Sequence, residues 1–332
     1  MPSPRPLVLL TDPIHADAAA RIGARADVRV APSNDAAGLL EHAPDADVVV
    51  VRSPLPEEFF ERAPRLRGAI RHGAGVDMIP VGPASRAGVA VANAPGTNQV
   101  SVAEYALGQM ISLAHRLRRV DATLRTEGWA AARRLSDGAF ELAGRTLGLV
   151  GVGRIGAELA RMAHFGLRMD VIGFRPSARE LPDCVRPVAL DDVFAQADVV
   201  VLACPLTDAT RGLVDAARLA RMTPGALLVN VSRGAVIDEP ALVDALARGH
   251  LGGAALDVFA VQPLPPGSPL LAFPNVIVSS HLAGITTDSM RRMGDSVARQ
   301  VIELLDAKLP AHFVNHEARD AVLARLAALG PK

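Results

Sequence analysis

The sequence predicts an α/β protein built from parallel sheets in two doubly wound units. Three observations carry that expectation. Short apolar runs rich in Val and Ala alternate with amphipathic helical patterns along the chain, which is the rhythm of βαβ units. Half of the 332 residues are apolar while aromatics make up 3%, which suits strands buried on both faces. A glycine loop, Gly151-Val152-Gly153-Arg154-Ile155-Gly156, follows an apolar run at 147–150, so a unit of substantial size precedes it.

The elements follow in order. Leu7–Leu10 reads as a first strand, because an apolar run of four is too short for the core of a signal peptide. Strands are expected at 47–51, 68–71 and 89–92, with helices between them. The segment Asn93-Ala94-Pro95-Gly96-Thr97-Asn98 breaks the pattern. Ser101-Val102-Ala103-Glu104 then has the form of a capping box, and it is expected to open a long helix through about Arg119. Further strands are expected at 146–150, 170–174, 198–203, 226–231, 253–256 and 276–278. A glycine-containing loop at 282–286 precedes an amphipathic helix over 287–308, with Val297, Val301, Leu304 and Leu305 on one face. A chain that leaves its first unit and returns at the end would form two domains around one active-site cleft. Residues 1–100 and 287–332 are assigned to a substrate-binding (catalytic) domain and 101–286 to a dinucleotide-binding domain.

Charge excludes some partners. Lys and Arg number 35, as do Asp and Glu, and no basic block stands out, so neither nucleic acid nor an anionic membrane surface is implied. No run approaches the roughly 18 apolar residues of a membrane span. Cys184 and Cys204, without a secretion signal, read as reduced thiols of a cytoplasmic protein. No metal-ligand spacing is seen, and no metal is expected.

In open α/β sheets ligands bind at the carboxyl ends of the strands. In the second part those ends carry the glycine loop, then Phe174-Arg175-Pro176-Ser177, Cys204-Pro205-Leu206-Thr207, Ser232-Arg233-Gly234, Asp257 and Ser280-His281. The glycines suit a phosphate cradle at a helix start: Gly151 for the tight turn, Gly153 for close approach of a pyrophosphate, Gly156 for helix–strand packing. A cation, a carboxylate and an imidazole share the rim beside it.

This set resembles the D-isomer-specific 2-hydroxyacid dehydrogenase family over nearly the whole chain. The matching segments are Gly73-Ala74-Gly75-Val76-Asp77, Asn98 with Ser101-Val102-Ala103-Glu104, Trp129, the glycine loop, and Pro205-Leu206-Thr207 with Thr210. Asn230-Val231-Ser232-Arg233-Gly234, Ala255-Leu256-Asp257-Val258-Phe259 and His281-Leu282-Ala283-Gly284 continue it. The resemblance implies two Rossmann-like or flavodoxin-like domains. It also implies hydride transfer between a nicotinamide cofactor and a small 2-oxo or D-2-hydroxy acid, such as glyoxylate or hydroxypyruvate. Arg233 would hold the substrate carboxylate and polarise its carbonyl, with the fixed fork geometry that Lys lacks. His281 would be the acid in reduction and the base in oxidation. Asp257 would fix the nicotinamide carboxamide. The cofactor would lie against Gly151, Gly153, Arg154, Ile155, Gly156, Arg175, Ser177, Cys204, Pro205, Val231, Ser232, Arg233, Asp257, His281 and Gly284. Arg52, Ser53 and the backbone of Ala74, Gly75 and Val76 would complete the substrate site, with His72 a further candidate. The helix from Ser101 and the arm through Trp129 resemble the family's homodimer contacts.

Two positions depart from the family pattern. Where the family places an Asp for the ribose hydroxyls, 19 residues after Gly156, this chain has Arg175. An Asp repels a 2′-phosphate and an Arg attracts it, so NADP(H) is expected over NAD(H), with NAD(H) use still open. Where most members have a Glu beside the histidine, this chain has Gln262. A Gln orients the ring but supplies no charge to hold its proton. Gln262 also resembles the formate dehydrogenase branch, whose reaction needs no proton transfer. A non-catalytic NAD(P)-sensing protein is the other alternative, although retention of Arg233 and His281 favours an enzyme.

Overall fold

The computed structural model describes residues 5–176 and 180–332, so Ser177 lies outside the described residues. The chain divides into two compact units, Met1–Asn98 with Ile285–Lys332, and Gln99–Gly284.

The first unit holds β1 (Leu7–Leu10), β2 (Asp27–Val30), β3 (Val48–Val51), β4 (Gly68–Arg71) and β5 (Ala90–Ala92). They pair in parallel in the order β2-β1-β3-β4-β5. Val48–Val51 is a run of four valines, all buried, because both faces of the sheet are covered. One face packs Val8, Val48 and Ile70 against Val297, Val301 and Leu304 of the helix Thr287–Leu305. The other packs Leu9, Val49, Phe59 and Leu66. Each such side chain contributes about 1.5–3 kcal/mol on burial. The helix Thr287–Leu305 opens with a capping box, in which Ser289 N donates to Thr286 Oγ1 at 3.1 Å and Thr286 N to Ser289 Oγ at 2.9 Å. Arg67 is fully buried and donates to the carbonyls of Leu329 and Gly330, at 3.2 and 2.6 Å.

The second unit holds β6 (Thr146–Val150), β7 (Asp170–Phe174), β8 (Arg186–Pro187), β9 (Val199–Leu202), β10 (Leu227–Asn230), β11 (Gly253–Leu256) and β12 (Val276–Val278). Their order is β12-β11-β10-β9-β6-β7-β8, all parallel. The chain winds outward from β6 in one direction and from β9 in the other, so the switch point lies between these two strands. That is where a doubly wound sheet opens a crevice for a ligand. The helices Gln99–Ala114 and Arg154–Arg161 cover one face through Val102, Met110 and Leu159. The helices Leu190–Gln196, Ala216–Arg221 and Glu239–Ala247 cover the other through Phe194, Leu219 and Leu242.

Two expectations about local structure need correction. Ser101 does not cap a helix: the helix begins at Gln99, and Ser101 is buried inside its first turn. Nor does that helix run to Arg119. It ends at Ala114, Arg116 adopts a left-handed backbone with φ 55, and a separate helix spans Leu117–Glu127. The buried stripe that ties the first helix to the sheet stops at Ala114, and the second helix buries no residue. Among the described residues no helix is long and apolar enough to cross a membrane.

Candidate active site

The glycine loop joins β6 to the helix Arg154–Arg161. Gly151 has φ 97, and a Cβ there would stand 2.6 Å from the Cys204 backbone nitrogen. A Cβ on Gly156 would collide with the Gly151 carbonyl oxygen. At Gly153, by contrast, a Cβ would meet nothing within 4 Å. Packing therefore explains two of the glycines, and the third faces open space. Gly153 is also the N-cap of the helix and offers no side chain to its first N–H groups. Those orphan donors and the positive end of the helix dipole suit a phosphate, so this cradle fits a dinucleotide.

Arg175 follows β7 and donates from Nη1 to the Val152 carbonyl at 3.0 Å, which holds its guanidinium against the glycine loop. Arg154, Arg161 and Arg175 line one cavity of about 490 Å³ with Glu158 and Glu180. Arg161 pairs with Glu158 at 3.4 Å. Among the described residues the cavity thus holds three cations against two carboxylates, and the position after β7 is Arg175. Cys204, past the end of β9, is buried, and burial pushes its thiol pKa up. It backs the Gly151 turn through its main chain. Pro205 is exposed on the same rim and accepts from Thr210 Oγ1 at 2.7 Å.

The turn after β10 is organised by Asn230. Its Oδ1 accepts from Ser232 N and Ser232 Oγ at 3.0 and 2.8 Å, and its Nδ2 donates to the Arg233 carbonyl at 3.0 Å. Val231 and Ser232 are buried and Arg233 is half-buried at the tip. Arg233 Nη1 donates to the Ser232 carbonyl at 2.7 Å. A Cβ on Gly234 would overlap the backbone of Phe259 and Ala260, so only glycine lets this turn lie on the loop that leads to Gln262.

Asp257 follows β11 and is 2% exposed. Its Oδ1 accepts from Ser279 Oγ at 2.6 Å and Leu282 N at 2.9 Å, its Oδ2 from Ala283 N at 2.9 Å, and its carbonyl from His281 N at 2.8 Å. The carboxylate thus holds the loop that carries His281 and ends at Gly284, and its Oδ2 keeps room for one more donor. His281 has φ 57, and its Nδ1 stands 3.3 Å from Gln262 Oε1. Arg233, Asp257, Gln262 and His281 all belong to carboxyl-terminal strand ends of this one unit. Neither Tyr105, which meets Ser279 Oγ with its hydroxyl, nor Ser279 itself was singled out from the sequence.

In the first unit, Arg52 and Ser53 follow β3. Both backbone N–H groups donate to Thr11 Oγ1, at 2.8 and 3.0 Å. The Ser53 hydroxyl donates to Asp12 Oδ2 at 2.6 Å and accepts from Asn34 at 3.1 Å, while the Arg52 guanidinium is folded onto the Pro13 carbonyl. The loop after β4 presents Ala74, Gly75 and Val76. Among the described residues, none accepts from these three N–H groups. His72 is 3% exposed, and neither ring nitrogen has a partner. Burial, followed by the charges of Arg52 and Arg71, lowers its pKa to about 4, so the ring is a neutral core group.

A doubly wound parallel sheet with an uncapped helix behind a glycine loop defines a dinucleotide-binding protein. The chain belongs to the D-isomer-specific 2-hydroxyacid dehydrogenase family, whose NAD-binding-domain model matches residues 107–283. A D-3-phosphoglycerate dehydrogenase of Mycobacterium tuberculosis is 37% identical over 316 residues, 93% of this chain and 59% of that protein. The chain thus spans about three-fifths of the length of that relative. A glyoxylate reductase of Korarchaeum cryptofilum is 36% identical over 286 residues, 84% of this chain and 86% of that protein. Among solved structures, an NADPH-dependent glyoxylate/hydroxypyruvate reductase of Sinorhizobium meliloti, held with NADP and malonate, superposes with a TM-score of 0.81. It is 29% identical, covering 93% of this chain and 97% of that one.

Proposed function

We propose that the protein is a nicotinamide-dependent oxidoreductase of small D-2-hydroxy acids, working as a 2-oxoacid reductase with NADP(H) preferred. The observation that carries this reading is the pairing of His281 with Gln262 at 3.3 Å, in the unit whose strand ends also carry Arg233 and the glycine cradle. A dinucleotide held at the glycine loop would supply the hydride chemistry at the substrate C2. Arg233 binds the substrate carboxylate and draws charge toward the carbonyl oxygen. His281 gives a proton to that oxygen in reduction and takes it back in oxidation. Nδ1–H donated to Gln262 Oε1 would hold the ring in one orientation and one tautomer. The N–H groups of Ala74, Gly75 and Val76 are the proposed second hold on the carboxylate. Arg154 and Arg175 favour a 2′-phosphate, as does the NADP bound by the Sinorhizobium reductase.

The glyoxylate reductase and glyoxylate/hydroxypyruvate reductase relatives support a two- or three-carbon 2-oxo acid as substrate. We further propose a cytoplasmic homodimer, with the exposed side chains of Leu117, Leu124 and Trp129 at its contact. One observation favours a second reading: a neutral Gln beside the histidine suffices for formate oxidation, which moves no proton. Steady-state turnover of glyoxylate, hydroxypyruvate, pyruvate, phenylpyruvate, 2-oxoglutarate and formate, with NADPH and with NADH, separates the two. Reduction of a 2-oxo acid supports the lead reading. Turnover of formate alone replaces it, and tight NADPH binding with no turnover on any of them makes the protein a sensor.

A further inference from the structure

The backbone that carries His281 is disfavoured for a residue with a side chain, since φ 57 brings Cβ close to the neighbouring carbonyl. Such a conformation persists only where its surroundings hold it. Here the hold is Asp257, through His281 N on its carbonyl and Leu282 N and Ala283 N on its carboxylate.

Asp257 is itself held by a chain of hydroxyls. Ser279 Oγ donates to Asp257 Oδ1 at 2.6 Å, and the Tyr105 hydroxyl meets Ser279 Oγ. The direction of this chain follows from donor inventory. Both Asp257 oxygens face backbone N–H groups, which only donate, so the carboxylate accepts throughout. Ser279 has one proton and spends it on Asp257, so its oxygen must accept from the Tyr105 hydroxyl. Burial raises the Tyr105 pKa, and the Asp257 charge adds to this, so the phenol keeps the proton it must donate. Tyr105 sits on the helix Gln99–Ala114, packed on the sheet by Val102, Ala106 and Met110. The chain therefore ties a strained loop to a well-packed helix of the same unit.

We propose that Tyr105 is a positioning residue for His281, acting through Ser279 and Asp257 to clamp the backbone of residues 281–283. The proposal rests on the reading of His281 as the acid–base group. It predicts that the Tyr105 hydroxyl sets how often the imidazole is presented, not how the dinucleotide binds.

The test uses Tyr105→Phe, Ser279→Ala, Ser279→Thr and the Tyr105→Phe/Ser279→Ala pair in the full chain. Tyr105→Phe and Ser279→Ala should each lower kcat on a 2-oxo acid by about three- to tenfold, with the Kd for NADPH within about twofold. The pair should be no slower than Ser279→Ala alone, because the phenol acts only through Ser279. Ser279→Thr, which keeps the hydroxyl, should retain kcat. Hydrogen exchange at Leu282 and Ala283 should quicken in Tyr105→Phe. Additive losses in the pair, a Ser279→Thr chain as slow as Ser279→Ala, or unchanged kcat and exchange in Tyr105→Phe would each overturn the proposal. If the unsubstituted protein turns over none of the acids, the acid–base reading of His281 falls. Exchange at Leu282 and Ala283 then still decides whether the clamp exists.

Discussion

Gln262 Oε1 stands 3.3 Å from His281 Nδ1, and the contact brings orientation without charge. A carboxylate at the same place would favour the imidazolium and raise the histidine pKa. On the proposed role of His281, reduction needs the protonated ring, so its rate is lost as pH rises through that pKa. Gln262→Glu should therefore move the alkaline limb of kcat/KM for 2-oxoacid reduction upward, by about one pH unit if the gain is about 1.4 kcal/mol. Superimposable pH profiles for the two proteins would show that the pairing does not tune the acid.

Arg175 lies against the glycine loop, its guanidinium on the Val152 carbonyl, and it is the residue proposed to select NADP(H). Arg175→Asp should reduce kcat/KM for NADPH by about 10- to 100-fold, an expected loss of one or two charge-assisted hydrogen bonds, while NADH holds or improves. A wild-type preference for NADH, or an Arg175→Asp protein that keeps its NADPH preference, counts against the NADP(H) assignment.

His72 gives a dependence of stability on pH that is separate from catalysis. Its pKa is depressed from 6.5 to about 4 by burial and by Arg52 and Arg71. The unfolded chain takes up this proton as pH falls below 6.5, and the folded chain does so only near 4. Stability is thus full above about pH 6.5 and is lost progressively down to about pH 4, by on the order of 3 kcal/mol. His72→Leu removes both the titration and the two unpartnered nitrogens. Urea unfolding from pH 7 to 4 should show a shallower fall for His72→Leu than for the parent, and parallel curves would refute the assignment.

Gly234 lies on the backbone of Phe259 and Ala260, where no side chain can swing away to make room. Gly234→Ala should destabilise the second unit by about 1–3 kcal/mol and displace the Arg233 turn. The KM for the oxo acid should then rise more than the Kd for the dinucleotide. An unchanged melting temperature would mean that the turn relaxes more readily than its packing implies.

Trp129 is 72% exposed on the second unit, beside a helix that buries none of its residues. Trp129→Glu should weaken the proposed homodimer, which light scattering after gel filtration would detect as a shift toward monomer at micromolar concentration. A parent chain that is monomeric at that concentration removes this arm from the proposal.

Much of this was legible in the sequence where a residue type has one physical reason to be present. The valine run of β3 and the strand ahead of Gly151 could be read, because only sheets buried on both faces tolerate them. β2 could not be read: Asp27–Val30 is mostly exposed and carries no apolar run. The capping-box pattern at Ser101 misled because it is local, whereas the true helix start is set by where the apolar stripe meets the sheet. At Thr286 the working box uses a Ser at its third position, a partner that the Ser-x-x-Glu form does not suggest. Arg233 and His281 stood out by type and spacing. Tyr105 did not, because its contact to Ser279 spans 174 residues and depends on how a helix lies over the sheet.

The first unit is assembled from two stretches of chain separated by the whole of the second. During synthesis β1 to β5 emerge without Val297, Val301 and Leu304, and Arg67 emerges without the carbonyls that later receive it. The second unit, by contrast, is complete once residue 284 has left the ribosome. The order of birth is therefore not the order of maturation. The sheet of β1 to β5 must wait, with one apolar face only partly covered, for residues 285–332 to arrive.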